Sequence, residues 1–150
     1  YLTKPFQTEE LLARMTNLVE QRKKLRQLFA ERPVLAEVQQ EAFLSAQDIE
    51  FLRRFKDLLE IHLSDDNLGV EDFAKKMFVS RVQLHRKLKA ITNRSATEFI
   101  RDFRLERAHA MLMKREGLVG EIALQVGFGN EKYFSTAFKE KFGVPPSQVQ

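Results

Sequence analysis

From Ile49 onward, the apolar residues Phe51, Leu52, Phe55, Leu58, Leu59 and Leu63 recur three and four positions apart. That spacing places them on one broad face of a helix, with Asp48 as its expected N-cap. Asp65-Asp66-Asn67 stops this helix, and Gly69 precedes a second one over Val70 to Met77 whose inward residues are Ala74 and Met77. Phe78 and Val79 are expected to fill the turn that follows. Ser80 with Gln83 forms a capping box, in which the hydroxyl accepts from a backbone N–H one turn in and the side-chain amide reaches back, so a third helix starts there with Leu84, Leu88 and Ile91 inward. Thr92-Asn93-Arg94 breaks the pattern. A second capping box, Ser95 with Glu98, then opens a long helix through Phe99, Ile100, Phe103, Leu105, Ala108, Met111 and Leu112 to about Lys114. At ~1.5 Å per residue that helix is roughly 30 Å long. The fold class these elements predict is all-α.

The pattern around Ser80 occurs twice, and the copies lie 50 positions apart. Ser80, Leu84, Leu88 and Lys89 are matched by Asn130, Phe134, Phe138 and Lys139, and Thr97-Glu98-Phe99 by Ser147-Gln148-Val149. Ala74 and Met77 are matched by Ala123 and Val126, one residue out of step, because the turn Gly127-Phe128-Gly129 is one residue longer than its counterpart. A duplicated helix-turn-helix yields two reading heads. The first head is expected over about residues 70–91, the connecting helix over 95–115 and the second head over 119–142. Opposite the apolar stripe of the first reading helix lie Arg81, Val82, His85, Arg86 and Lys89. Cations, an imidazole and one small apolar group suit phosphates, base edges and a thymine methyl. One such helix alone reads more readily as a solvated surface helix.

Before residue 48 the pattern is weaker. Tyr1 to Thr3 suit the end of a strand, Lys4-Pro5 a turn, and Thr8-Glu9-Glu10 the acidic start of a helix carrying Leu11, Leu12, Met15, Leu18 and Val19. Leu25, Leu28 and Phe29 extend that helix toward Ala30. Pro33 ends it, and residues 30–47 read as a linker.

Charge sharpens the division. Residues 1–66 carry 10 Lys+Arg against 12 Asp+Glu, whereas residues 67–150 carry 15 against 9, so the chain's net +4 is the sum of −2 in the first part and +6 in the duplicated half. A basic reading module is what a polyanion requires. With no cysteine there is no disulfide, thiolate metal site or cysteine nucleophile. His62, His85 and His109 are dispersed without a second ligand at helical spacing, so neither metal nor cofactor is expected. No apolar run approaches the ~18 residues of a membrane span, so no membrane contact is expected in this segment. Gly127-Phe128-Gly129 suits a turn needing positive φ better than a phosphate loop. Arg101, Arg104 and Arg107 have Asp102, Glu106 and Glu98 within helical reach, and these pairings compete with phosphate contact as their role. His109 is expected beside Met113. Phe99, Phe103, Phe134 and Phe138 lie on apolar stripes and are expected in the core.

The strings SRVQLHRKLKAITNRSATEFIRDFRLERAHAML and EIALQVGFGNEKYFSTAFKEKFGVPPSQ resemble the DNA-binding domain of the AraC family of transcription regulators, over about residues 48–150. The resemblance implies two helix-turn-helix units joined by a long helix, reading adjacent major-groove segments of double-stranded DNA. By position, Val82, His85 and Arg86 would face bases in the first unit, and Glu131, Lys132, Ser135 and Thr136 in the second, with Arg81, Lys89 and Lys139 alongside. Gly120 departs from the family's helix former and is expected to soften the start of its helix; the Ser147-Gln148-Val149-Gln150 ending departs from Tyr-Arg and is expected to leave the final helix clipped or loose. Residues 1–29 resemble the last strand and helix of a response-regulator receiver, with Lys4 at the position that contacts the phosphorylated aspartate. Together these imply a cytoplasmic output end of a response regulator or hybrid kinase, a homodimer through the receiver and its extended helix, and RNA polymerase as a further partner. A nonspecific basic module and a protein-interaction module remain as alternatives; an enzyme ranks third, since a methyl-accepting repair protein of this type needs the cysteine this chain lacks.

Overall fold

The structure is a computed structural model, and it describes residues 45–149. The receiver-like segment with Lys4, the helix through Leu25 and Leu28, and most of the linker lie outside the described residues. Six α-helices follow one another within them: α1 Ala46–Ile61, α2 Val70–Lys76, α3 Arg81–Thr92, α4 Ala96–Met113, α5 Val119–Gln125 and α6 Glu131–Phe142. A 3-10 turn, Pro146–Gln148, ends the described chain.

The duplication is larger than the sequence pattern revealed. Helix α1 is capped by Ser45 and begins at Ala46, and α4 is capped by Ser95 and begins at Ala96, again 50 positions on. The expected N-cap Asp48 is instead the third helical residue, donating its backbone N–H to Ser45 Oγ (3.1 Å). Helices α2 and α5 correspond at an offset of 49, and α3 and α6 at 50, so each unit is three helices, and α4 serves as both the connector and the first helix of the second unit.

The core divides accordingly. Phe51, Phe55 and Leu59 of α1, Phe73, Ala74 and Met77 of the α2 region, Leu84, Leu88 and Ile91 of α3, and Phe99 and Phe103 of α4 form one buried cluster. Leu105, Ala108 and Leu112 of α4, Ile122, Ala123 and Val126 of the α5 region, Phe128, Phe134 and Phe138 form the other. The changeover falls between Phe103 and Leu105, so one turn of α4 passes from one core to the next. Phe55 touches Phe73 and Phe99 at 6.1 and 5.4 Å between ring centroids, and Phe134 touches Phe128 and Phe138 at 5.1 and 5.7 Å. Tilted and edge contacts of this kind add to the area the rings remove from water.

Several expectations are corrected here. Phe78 does not fill its turn: it is 88% exposed at φ 58, and Val79 alone packs on the core. Phe73, not singled out in the sequence, is fully buried. His109 stacks on Phe142 at 4.6 Å, whereas Met113 is exposed. Gly120 sits as the second residue of a formed helix, whose start is held by Glu121 accepting from the Leu118 N–H at 3.0 Å. The clipped ending is a single 3-10 turn packed back through Val149 onto the second core.

Candidate nucleic-acid interface

Each head is built the same way. Helices α2 and α5 end in a 6→1 backbone bond, from Val79 N to Ala74 O (3.0 Å) and from Phe128 N to Ala123 O (2.9 Å), with a left-handed residue between, Phe78 in one and Gly127 in the other. The next helix is then capped. Ser80 Oγ accepts from Gln83 N at 3.1 Å and Gln83 Oε1 accepts from Ser80 N at 2.9 Å; in the second head Asn130 Oδ1 accepts from Tyr133 N at 3.0 Å. Both reading helices run twelve residues and close on a left-handed C-cap, Asn93 or Gly143. Turn and caps fix the direction in which α3 and α6 leave the core.

On α3, burial of Leu84 and Leu88 leaves Arg81, Val82, His85, Arg86 and Lys89 exposed. At ~100° per residue these five span a sector of about 140°. Val82 is 62% exposed, an uncompensated apolar surface amid charge. Arg81 reaches Glu71 on α2 at 3.6 Å with both partners in solvent, a pairing of little energetic weight. Lys89 Nζ donates to Asn93 O at 3.2 Å, closing its own helix end. His85 and Arg86 make no ion pair with a described residue. Lys87 lies elsewhere, 4.7 Å over the Phe51 ring.

The equivalent sector of α6 carries Glu131, Lys132, Ser135, Thr136 and Lys139. Lys132, Thr136 and Lys139 are exposed, and Ser135 is half-buried. Thr136 Oγ1 donates to Lys132 O at 3.0 Å, so its hydroxyl is engaged while its methyl stays free. The Glu131 carboxylate turns toward the start of α5, where a Cβ on Gly120 would stand 3.0 Å from it. Tyr133, absent from the sequence-derived set, is 56% exposed with its ring 5.9 Å from Phe128. Its place beside a core aromatic in the pattern concealed it.

The arginines of α4 have other duties than expected. Arg101 meets Asp102 at 3.7 Å, but Arg107 pairs with Glu60 of α1, and Arg104 donates to two backbone carbonyls, Asp65 O at 3.0 Å and Gly127 O at 3.3 Å. Burial pushes the Arg104 guanidinium below the usual arginine range, and the neighbouring Asp65 and Asp66 oppose that shift. Asp102 also pairs with Arg94 at 3.2 Å and with Lys141 at 3.8 Å, the latter tying α6 to α4. Among the described residues no three His, Asp or Glu side chains lie close enough to hold a metal ion, and no helix is long and apolar enough to cross a membrane.

A family described as a helix-turn-helix domain has a model that matches residues 73–150. The chain is similar in structure to the C-terminal domain of AraT, a response regulator from Geobacillus stearothermophilus, with a TM-score of 0.60 and 35% identity over 66% of this chain and 82% of that one. It is also similar to a Chromobacterium violaceum transcriptional regulator of the AraC-type DNA-binding domain-containing proteins, with a TM-score of 0.62 and 26% identity over 70% and 93%. In sequence it is 34% identical over all 150 residues to histidine kinase P4 of Formosa agariphila, and 38% identical over 84 residues, 56% of this chain, to the Msm operon regulatory protein of Streptococcus mutans. The chain spans 11% and 30% of the lengths of those two proteins.

Proposed function

The chain belongs to the AraC-type helix-turn-helix family, and from that premise we propose that it is the sequence-specific, double-stranded-DNA-binding output module of a two-component transcription regulator. The observation that carries the reading is the recurrence, 50 positions apart, of a capped helix with the same polar sector, both held on α4. At 18 residues α4 is about 27 Å long, close to the roughly 34 Å that separates successive major grooves on one face of DNA. Each head then enters one groove segment.

Within the heads, Val82, His85 and Arg86 meet base edges and Arg81 and Lys89 meet phosphates; Glu131, Lys132, Ser135, Thr136 and Lys139 divide the same tasks in the second. The division into residues 1–29 as the end of a receiver, 30–47 as a linker and 48–150 as the DNA-binding domain belongs to this proposal. So do pairing through the receiver helix, contact with RNA polymerase and a place in the cytoplasm. Similarity over the whole chain to a histidine kinase, and to the C-terminal domain of a response regulator, supports the two-component setting.

Selection of duplexes from a random pool tests the reading. The selected sequence should consist of two segments with centres about 10 bp apart and should bind at least ~10³-fold more tightly than bulk DNA. Equal affinity for bulk DNA would leave a nonspecific basic module, and binding unaffected by a half-turn insertion between the segments would leave a single reading head.

A further inference from the structure

The two units differ by one inserted residue, and it lies where the second unit touches the first. Helices α2 and α5 correspond at 49 positions and α3 and α6 at 50, which makes Gly129 the extra residue of the second turn. A Cβ on Gly129 would overlap the carboxylate of Asp66, which belongs to the loop between α1 and α2. Two residues earlier, Gly127 adopts φ +91, and a Cβ there would overlap the Leu63 carbonyl and stand 3.0 Å from the Arg104 guanidinium. Arg104 closes the contact by donating to Asp65 O on one side and Gly127 O on the other. Bonds from a charged donor to carbonyls are the stronger class of hydrogen bond. Leu63 packs against both cores at the same place. Among the described residues the first unit has no such contact at its own turn: Phe78, matching Gly127, is 88% exposed, and Arg54, 50 positions before Arg104, is exposed too.

We infer that this junction, with Arg104 at its centre, fixes the rotation of the second reading helix relative to the first and so sets the separation of DNA segments that the domain accepts. The inference rests on the two-headed reading proposed above. A continuous α4 carries both cores and Lys141 ties α6 to Asp102, so the freedom left to the second unit is bending of α4 between the cores, and a bend there would swing α6 along the DNA. One base-pair step turns the groove by roughly 35°, so a reader of a single spacing must hold its heads to a fraction of that angle. Gly127 admits the backbone of one unit against the other, and Arg104 pins it. Arg104 is thereby a positioning residue that touches no DNA.

The test uses the 150-residue chain and its Gly127→Ala and Arg104→Gln variants. Each is titrated against duplexes selected with the unaltered chain, and against the same duplexes with one or two base pairs added or removed between the segments. The unaltered chain should lose about tenfold or more per displaced base pair, in line with the cost of a mismatched contact. Gly127→Ala, whose Cβ meets the Leu63 carbonyl, and Arg104→Gln should lose a similar factor on the original spacing yet bind the displaced duplexes as well as the unaltered chain does, which flattens the profile. Variants that are folded by circular dichroism yet keep a steep profile overturn the inference. A flat profile for the unaltered chain removes the two-headed reading itself, and that outcome is visible before any variant is made. Gly127→Ala carries the test should Arg104→Gln fail to fold.

Discussion

At the scale of single residues, Arg86 and Lys89 are neighbours on α3 with different prospects. Arg86 is exposed, makes no ion pair with a described residue, and carries a planar fork suited to guanine O6 and N7. Lys89 offers a point charge and spends one donor on Asn93 O. Arg86→Ala is therefore expected to cost about 1–3 kcal/mol on the selected duplex and to relax the choice at one base pair, while leaving nonspecific binding much less affected. Lys89→Ala is expected to weaken all sequences alike and to lower the slope of log affinity against log salt by about one. Titrations on selected and scrambled duplexes at several salt concentrations separate the two, and equal losses for Arg86→Ala on both duplexes would strike it from the reading set. The polar sector holding these residues was legible because a capping box and three apolar positions fix the phase of α3. The partners of Arg104 and Arg107 were not. Acidic residues three and four positions away offered local pairings, and nothing in the spacing of α4 shows that the Asp65 and Gly127 carbonyls or Glu60 come within reach once the units dock.

At the scale of elements, the second turn and the second C-cap each place a glycine in the left-handed region, but in different surroundings. Gly127 is crowded by Leu63 and Arg104, whereas nothing lies within 4 Å of a Cβ on Gly143. An L-residue pays about 1–2 kcal/mol for that backbone conformation, and part of this is offset by the freedom it lacks when unfolded. Gly143→Ala is expected to cost about 1 kcal/mol, and Gly127→Ala about 2–4 kcal/mol, because strain and overlap add. Chemical denaturation checks the order, and equal costs would mean that the junction yields easily. The need for positive φ was readable at Gly127 from its place in a tight turn. It was not readable at Phe78, whose aromatic character argued for the core while its position, matched to Gly127, required the same left-handed backbone. Helix α1 as a copy of α4 also escaped notice. The shared feature is a serine cap, while the apolar stripes differ because α4 must serve two cores and α1 only one.

At the scale of the whole molecule, α4 is the one helix among the described residues that belongs to both units, and its side chains change allegiance within a single turn. Adding one residue between Phe103 and Arg104 would turn everything downstream by about 100° and advance it by about 1.5 Å. Leu105, Ala108 and Leu112 turn together with α5 and α6, so the second core keeps its contacts, while Arg104 leaves the Asp65 carbonyl and the second reading helix turns relative to the first. The expected result is two units that still unfold cooperatively by calorimetry but no longer prefer the selected duplex to bulk DNA, whereas one residue added in the loop 114–118 should leave the phase of α4 unchanged. A seven-residue insertion, close to two turns, returns the phase to within about 20° but carries the second unit about 10 Å along the axis, so it should restore the angle between the heads without restoring the Arg104 contact. Helix length here acts as a genetic constraint. Insertions are expected to be tolerated in the loop 114–118 and not within α4, so a new operator geometry has to come from re-cutting the contact between the units, not from lengthening the rod between its heads.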